Sequence, residues 1–344
     1  MKNNLISSNP DALKKEAFNN KSWQVTERQI CDLELLLNSA FAPLTGFMDE
    51  ADYQSVLKDL RLKDGSLWPM PIALDVDEAF SKELSNGDKI TLRDHEGFAL
   101  AVLTISDIFK PDFKAEAQAV YGTIDETHPA VNYLYNHSKP VYLGGSLEGI
   151  ALPHHYDYKE NRHTPEELKS IFKEKGWKKI VAFQTRNPLH RAHVEMTMRA
   201  SQELDANLLI HPVVGMTKPG DVDHYTRVRC YQHVLPKYPE NSAMMSLLPL
   251  AMRMGGPREA LWHALIRKNF GCTHIVVGRD HAGPGNDKDE NPFYGPYDAQ
   301  ELLLKYQDEI GIEMVPFKFM VYLPEEDRYE AIDAVEKEIG RASC

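Results

Sequence analysis

The stretch that decides the fold is residues 179–204, KIVAFQTRNPLHRAHVEMTMRASQEL. It begins with a short apolar run typical of a buried strand, predicted over 179–184. A polar loop follows, and an apolar-periodic helix is predicted over 190–204. A buried strand that leads through a polar loop into an amphipathic helix is the repeating unit of α/β proteins.

The same unit recurs along the rest of the chain. Further strands are predicted over 207–214, 243–248 and 274–278 and near 312–321, and further helices over 223–235, 257–269 and 298–310. This alternation predicts an α/β fold with a mainly parallel sheet and helices on both faces. Ligands of such sheets bind beyond the carboxyl ends of the strands, so the loops after Gln184, Val214, Leu248 and Gly278 are candidate sites.

The first part of the chain, to about residue 152, has a mixed and strand-rich pattern. A helix is predicted over 26–38 and a hairpin over 88–108, with its turn at 94–97. Residues 154–163 are a polar linker, after which Thr164, Pro165 and Glu167 form a helix-start signal. We therefore expect domains over 1–155 and 164–322 and a short C-terminal segment over 323–344.

Composition limits the possible partners. The 344 residues carry a formal net charge of −12, which argues against a general binder of nucleic acid or anionic membrane. The four cysteines are scattered, which argues against a disulfide framework or a zinc knuckle. Neither an apolar run long enough to span a bilayer nor a signal-peptide core is present, so a cytoplasmic protein is expected.

The loop QTRNPLHRAH, residues 184–193, carries the first chemical signal. It leads into a helix N-terminus, where unpaired N–H groups favour phosphate or sulfate. His190 and His193 share a helix face, and Arg186 adds a fork of donors suited to a tetrahedral oxyanion. A bare HxxH pair is more often a solvated helix start, and a metal pair would need a third ligand that the spacing does not supply.

Three other loops also carry basic residues. They are GMTKPGDVDHYTR at 215–227, MRMGGPRE at 252–259 and GRDHAGPG at 278–285. In a chain of net charge −12, four such loops predict that their basic residues form one anion-binding cleft.

These loops resemble the signature loops of the ATP sulfurylase family, in particular QTRNPLHRAH and GRDHAGPG. The resemblance extends through the N-terminal region, which is similar to that family's PUA-like domain. It implies a Rossmann-like nucleotidyltransferase domain with a mainly parallel sheet, preceded by a strand-rich PUA-like domain. The implied activity is that of a sulfate adenylyltransferase, which joins sulfate to the adenylyl group of ATP and releases pyrophosphate in sulfate activation, or catalyses the reverse reaction.

The resemblance also implies the residue roles. The residues it implies for sulfate are Gln184, Arg186 and the backbone at Ala282. Those it implies for ATP are Gln184, Thr185, Arg186, Asn187, His190, His193, Gly278, Arg279, Asp280, His281 and the backbone of Met320. The catalytic set is Thr185, Arg186, Asn187, His190 and His193, acting in a direct in-line attack on the α-phosphate. Mg²⁺ is expected with ATP, and no zinc is expected because residues 286–297 contain no Cys or His.

Two departures and two alternatives accompany this interpretation. Gly255 stands where the family usually has Ala, and bacterial members commonly continue past the position of Cys344, with a closing domain that residues 335–344 do not resemble. A homo-oligomer is expected, with a dimer favoured, although the tail leaves its contacts open.

The alternative functions are those of another HxxH-type adenylyltransferase and of a non-catalytic nucleotide- or RNA-binding protein, as PUA-like folds sometimes are.

Overall fold

The computed structural model describes residues 4–316, 320–326, 328–331 and 335. Its α-helices are α1 (Pro10–Ala17), α2 (Glu27–Leu37), α3 (Glu50–Asp59), α4 (Glu78–Ser81), α5 (Phe113–Tyr121), α6 (Pro129–Asn136), α7 (Pro165–Glu174), α8 (Arg191–Glu203), α9 (His224–Val234), α10 (Gly256–Asn269) and α11 (Asp298–Ile310). Its strands are β1 (Lys21–Gln24), β2 (Gly46–Phe47), β3 (Leu74–Val76), β4 (Lys89–Arg93), β5 (Ala99–Phe109), β6 (Val141–Gly149), β7 (Ile180–Phe183), β8 (Asn207–Ile210), β9 (Ala243–Met245), β10 (His274–Val277), β11 (Glu313–Pro316), β12 (Met320–Leu323) and β13 (Arg328–Ala331).

The N-terminal half is built on a six-stranded mixed sheet. Its strand order is β1-β4-β5-β6-β2, with β3 also paired to β6. The predicted hairpin corresponds to the antiparallel pair β4 and β5. The predicted first helix corresponds to α2, where Thr26 forms a capping box with Gln29.

The C-terminal half is built on a five-stranded sheet in the order β11-β10-β7-β8-β9, and every pair of neighbours is parallel. Each predicted strand and helix of this half is present, usually shortened by one to a few residues. The helix start at Thr164 is confirmed, because its side chain and that of Glu167 form a capping box at the beginning of α7. The α/β fold class is therefore confirmed.

Helices cover both faces of the parallel sheet. Ile180 and Ala182 of β7 pack into one hydrophobic core that includes α10 and α11 residues, whereas Val181 and Phe183 pack into a second core with residues of α8 and α9. Alternate side chains of one strand thus enter different cores, as expected for a strand buried on both sides.

The first of these cores continues into the N-terminal half. Phe41 packs against Trp262 of α10 with ring centroids 5.2 Å apart, and the Arg253 guanidinium contacts the Asp32 carboxylate at 2.5 Å. The two halves therefore share buried apolar and polar contacts.

Two predicted segments lie partly outside the residues that the structure describes. The strand expected near residues 312–321 corresponds to β11 and the beginning of β12, and residues 317–319 between them lie outside the described residues. Most of the segment 323–344 also lies outside them. Across the described ranges, no helix has both the length and the apolar character needed to cross a membrane.

Candidate functional site

The order of the parallel strands creates a crevice between β7 and β10. From β7 the chain proceeds through α8 to β8 on one side, and from β10 it proceeds through α11 to β11 on the other. The connections diverge between these two neighbouring strands, and ligands of open α/β sheets bind at such a switch point.

A cleft of about 190 Å³ lies at this position. It is lined by Phe183, Gln184, Thr185, Arg186, Asn187, His193, Met252, Val276, Gly278, Arg279, Asp280, His281 and Ala282. Ten of these were predicted as site residues, and they come from the two loops that were separated by more than 80 positions in the sequence.

Two predicted residues stand apart from this lining. His190 caps the beginning of α8 and does not line the cleft, although its ring centroid lies 3.9 Å from that of His193. Met320 is the first residue of β12, and its side chain lies outside the described part of the chain.

The loop after β7 is held rigid by its own hydrogen bonds. The Thr185 hydroxyl accepts from the Asn187 amide at 3.1 Å and donates to the Asn187 carbonyl at 3.0 Å. Tyr231 of α9 donates to the same carbonyl at 2.8 Å. Thr185 therefore shapes a local turn, and Tyr231 is a supporting residue that the sequence analysis missed.

The two histidines of the HxxH pair are neutral at pH 7. Burial, and then the neighbouring His190, lower the pKa of His193 to about 4. Burial also lowers the pKa of His190. They can offer N–H donors at the N-terminus of α8, but they do not contribute positive charge in the free protein.

Three other side chains of the described residues bring positive charge to the edge of the cleft. Burial raises the pKa of the Asp280 carboxyl, and three neighbouring cations oppose this rise. These cations are Arg186, Arg279 and Lys218. Arg186 also forms an ion pair with Asp221. Side chains of separate βα loops thus meet around the cleft, as an anion-binding site requires.

The loop after β10 approaches the cleft with unusual backbone geometry. Asp280 and Ala282 have φ of +52° and +56°, in the left-handed region. Among the described groups, the Ala282 amide donates to no acceptor, whereas its carbonyl accepts from the Gly256 amide at 3.2 Å. The Ala282 amide is therefore available to an anion, beside the N-terminus of α10.

The prediction that all four basic loops form the cleft was wrong for three arginines. Arg253 pairs with Asp32, and Arg258 donates to the backbone carbonyls of residues 56, 57 and 69, so both contact the N-terminal half. Arg227 donates to the carbonyls of Val213 and Val222. These guanidiniums stabilise backbone and the junction between the halves, and only Met252 of its loop lines the cleft.

Helix α10 supplies contacts that the sequence analysis did not identify. Arg267 donates to the side-chain oxygen of Gln184, and the ring nitrogen Nδ1 of His263 lies 3.0 Å from Nε2 of His281. Both are fully buried. The available signal was their spacing of four residues in the helix predicted over 257–269, which places them on one face.

Mg²⁺ was expected with ATP. Among the described residues, no group of three or more His, Cys, Asp or Glu side chains could hold a metal ion. Mg²⁺ bound to nucleotides keeps several waters and takes its other ligands largely from phosphates, so Mg²⁺ held by a nucleotide would need few protein ligands.

A larger cavity of about 590 Å³ lies elsewhere, between the N-terminal half and α7. None of the predicted site residues lines it. The smaller cleft is the better candidate, since it combines converging basic residues, free backbone donors and a sheet switch point.

Comparison with known proteins identifies two matching families. The model of the ATP-sulfurylase family matches residues 159–341, and that of a PUA-like domain matches residues 1–152. A solved structure described as a hexameric APS kinase from Thiobacillus denitrificans is similar over 99% of this chain and 60% of its own, with a TM-score of 0.80 and 30% identity.

Curated relatives described as sulfate adenylyltransferases are also similar. That of Mycosarcoma maydis is 54% identical over 97% of this chain, and that of Saccharomyces cerevisiae is 53% identical over 95%. That of Chaetomium globosum is 58% identical over 90%. The chain spans 59%, 65% and 55% of the lengths of these three relatives, respectively.

Proposed function

Because the chain belongs to the ATP sulfurylase family, we propose that it is a sulfate adenylyltransferase, which converts ATP and sulfate to adenylyl sulfate and pyrophosphate. The observation that carries the proposal is the cleft between β7 and β10, where loops 184–187 and 278–282 meet. These loops offer guanidiniums and amides, and the N-terminus of α8 follows the first of them; such groups suit two anions held side by side.

The proposed reaction needs no general base. Sulfate is fully ionised at neutral pH, so its oxygen can attack the α-phosphorus without losing a proton. The new bond joins a sulfate oxygen to that phosphorus, and the bond to the bridging oxygen of pyrophosphate breaks. The barrier lies in bringing two anions together, so positioning and electrostatic stabilisation supply most of the rate.

Sulfate is proposed to bind at Gln184, Arg186 and the Ala282 amide. Arg186 offers a planar fork of donors, and the Ala282 amide has no acceptor among the described residues. In the free protein Asp221 occupies Arg186, so sulfate must compete with that carboxylate for the guanidinium.

ATP is proposed to bind along the remaining loop residues. Arg279 and the neutral donors His190 and His193 would contact the phosphates, with Thr185 and Asn187 fixing the loop around the α-phosphate. Gly278, Asp280 and His281 would complete the nucleotide site, and the backbone of Met320 would contact adenine. When bound with ATP, Mg²⁺ neutralises part of the phosphate charge.

The direct test is sulfate-dependent exchange between pyrophosphate and ATP. Purified protein should incorporate labelled pyrophosphate into ATP only when sulfate is present. Exchange that requires an organic acid or a phosphate ester instead would identify a different HxxH-type adenylyltransferase. Binding of RNA without exchange would support the non-catalytic alternative.

Arg186→Met tests the proposed sulfate contact. We expect kcat/KM for sulfate to fall at least 100-fold, because the guanidinium fork would lose two charge-assisted hydrogen bonds of about 1.5–3 kcal/mol each. Arg258→Met is the matched control, since among the described residues that guanidinium donates hydrogen bonds only to backbone carbonyls of the N-terminal half. Equal losses in the two variants would contradict the role of Arg186.

The stereochemistry of the reaction tests the direct attack. ATP that is chiral at the α-phosphorus should give product with inverted configuration, as one in-line displacement requires. Retention would show an even number of displacements and would exclude the direct mechanism.

The remaining expectations stay proposals. A homo-oligomer, with a dimer favoured, can be tested by sedimentation velocity, and the similar structure is itself described as hexameric. A role in cytoplasmic sulfate assimilation can be tested by fractionation and by growth on sulfate as the sole sulfur source after deletion of the gene.

A further inference from the structure

Helix α10 carries a stripe of buried polar side chains. Glu259, His263 and Arg267 are spaced by four residues, and each has 0% of its surface exposed. Residues at this spacing lie on one helix face. Buried polar groups are costly unless they are hydrogen-bonded, so each contact of this stripe is informative.

The stripe reaches both loops of the cleft. Glu259 accepts from the amides of Arg253 and Gly255 at 3.0 and 2.8 Å, which fixes the beginning of α10. His263 contacts His281 at 3.0 Å. Arg267 donates to Gln184 and to the His211 carbonyl, the latter at 3.2 Å. The helix therefore supports the cleft from beneath without lining it.

The contact with Arg267 determines which end of the Gln184 amide faces the cleft. A guanidinium has only donors, so it must bind the amide oxygen. The amide nitrogen is then left for other contacts, and within the described residues it has only the Met252 sulfur, at 3.8 Å. With the opposite orientation the carbonyl oxygen would face a bound anion and repel it.

The charge of Arg267 also has no close counterion. None of the described carboxylates lies within ion-pair distance of it, and its Nε and Nη1 atoms have no hydrogen-bond partner there. Burial lowers its pKa to about 9, so the guanidinium remains charged at pH 7. A buried cation directly behind Gln184 favours an anion in front of it.

We propose that Arg267 is a positioning residue for sulfate: it holds the Gln184 side-chain amide with its N–H₂ group toward the anion. The inference rests on the proposed function and deepens it. Arg267 acts through Gln184, so removal of either side chain should remove the same interaction.

The test combines Arg267→Met, Gln184→Ala and the double variant. We expect Arg267→Met to raise the KM for sulfate about 10- to 100-fold, as for loss of one hydrogen bond to a charged group, with the KM for ATP within about threefold. The double variant should match Gln184→Ala alone, because coupled residues are non-additive. Arg258→Met, on the same helix, should leave the KM for sulfate unchanged.

Several results would overturn the inference. They are an unchanged KM for sulfate in Arg267→Met, additive effects in the double variant, and an equal effect of Arg258→Met. If Arg267→Met does not fold, Arg267→Lys takes its place, because it keeps the charge without the fork. It should still raise the KM for sulfate at least threefold, and an unchanged KM in this variant would also overturn the inference. If the wild-type protein shows no sulfate-dependent exchange, the proposed function is refuted and the inference falls with it. If the wild-type protein is active and the variants have its KM for sulfate, only the inference is refuted.

Discussion

The ion pair between Asp32 and Arg253 should be a main polar contribution to the junction of the two halves. Its side chains are 4% and 2% exposed, and its atoms are 2.5 Å apart. Asp32→Asn removes the negative charge and keeps a side chain of nearly the same shape. Arg253 then stays buried without its counterion.

The expected cost is about 3 kcal/mol in the free energy of unfolding. Loss of one partner of a buried pair costs about 3–5 kcal/mol, and Asn retains one acceptor for the guanidinium, which favours the lower end. A second ion pair between the halves, Arg61 with Glu309, is 33% and 44% exposed. Glu309→Gln is therefore a matched control, with an expected cost of about 0.2–1 kcal/mol.

Urea unfolding followed by tryptophan fluorescence measures both costs. A single transition is expected, since one hydrophobic core includes residues of both halves. The double variant Asp32→Asn with Arg253→Met should be more stable than Asp32→Asn alone, because it removes the unpaired charge. The reasoning is refuted if Asp32→Asn costs no more than Glu309→Gln.

Three further predictions concern pH, backbone space and metal. Burial lowers the pKa of His128 to about 4 from an unfolded value of about 6.5, so the folded state binds fewer protons. The contribution of His128 to stability should be complete above pH 6.5 and fall toward pH 4 by up to about 1.4 kcal/mol per unit; His128→Asn should make the fall in urea titrations less steep by that amount, while His193 still contributes its own part. Gly256→Ala should destabilise the protein by about 1–3 kcal/mol more than Gly176→Ala. Both glycines have positive φ, but a Cβ at Gly256 would lie 2.4 Å from the Tyr294 ring, whereas a Cβ at Gly176 would meet no atom within 4 Å. Equal unfolding midpoints of the two variants in urea would contradict this prediction. A chelator should abolish the proposed exchange until Mg²⁺ is restored. The melting temperature in a thermal scan should stay the same, because no metal-binding group of side chains is found among the described residues. A lower melting temperature would indicate a structural metal.

The sequence predicted those parts of the fold that depend on local pattern. The helix predicted over 298–310 has the observed bounds of α11, and the cap at Thr164 is present because both of its hydrogen bonds join residues three positions apart. The ends of β8 and β9 were predicted too long. The chain leaves both strands early, at Ile210 and Met245, and resumes pairing only at the bridge between Val213 and Leu248.

The sequence predicted which loops line the cleft, but it did not predict where several of the arginines lie. The order of strands brought loops 184–187 and 278–282 together, as expected for strand ends at one sheet edge. Local pattern could not show that Arg253 and Arg258 face the N-terminal half, because their partners lie roughly 190 to 220 positions away in the sequence. The same holds for Arg267, whose partner Gln184 is 83 positions away.

These differences change how the cleft can attract anions. With Arg253 and Arg258 elsewhere and the HxxH histidines neutral, the described cations at the cleft are Arg186, Arg279 and Lys218, with the buried Arg267 behind Gln184. The Asp221 and Asp280 carboxylates offset two of these four charges. The free cleft therefore keeps only a small excess of positive charge, and a broad positive field cannot by itself hold the two proposed anions there. Directed donors must do so, which makes the orientation of each guanidinium and amide more important than the number of basic residues.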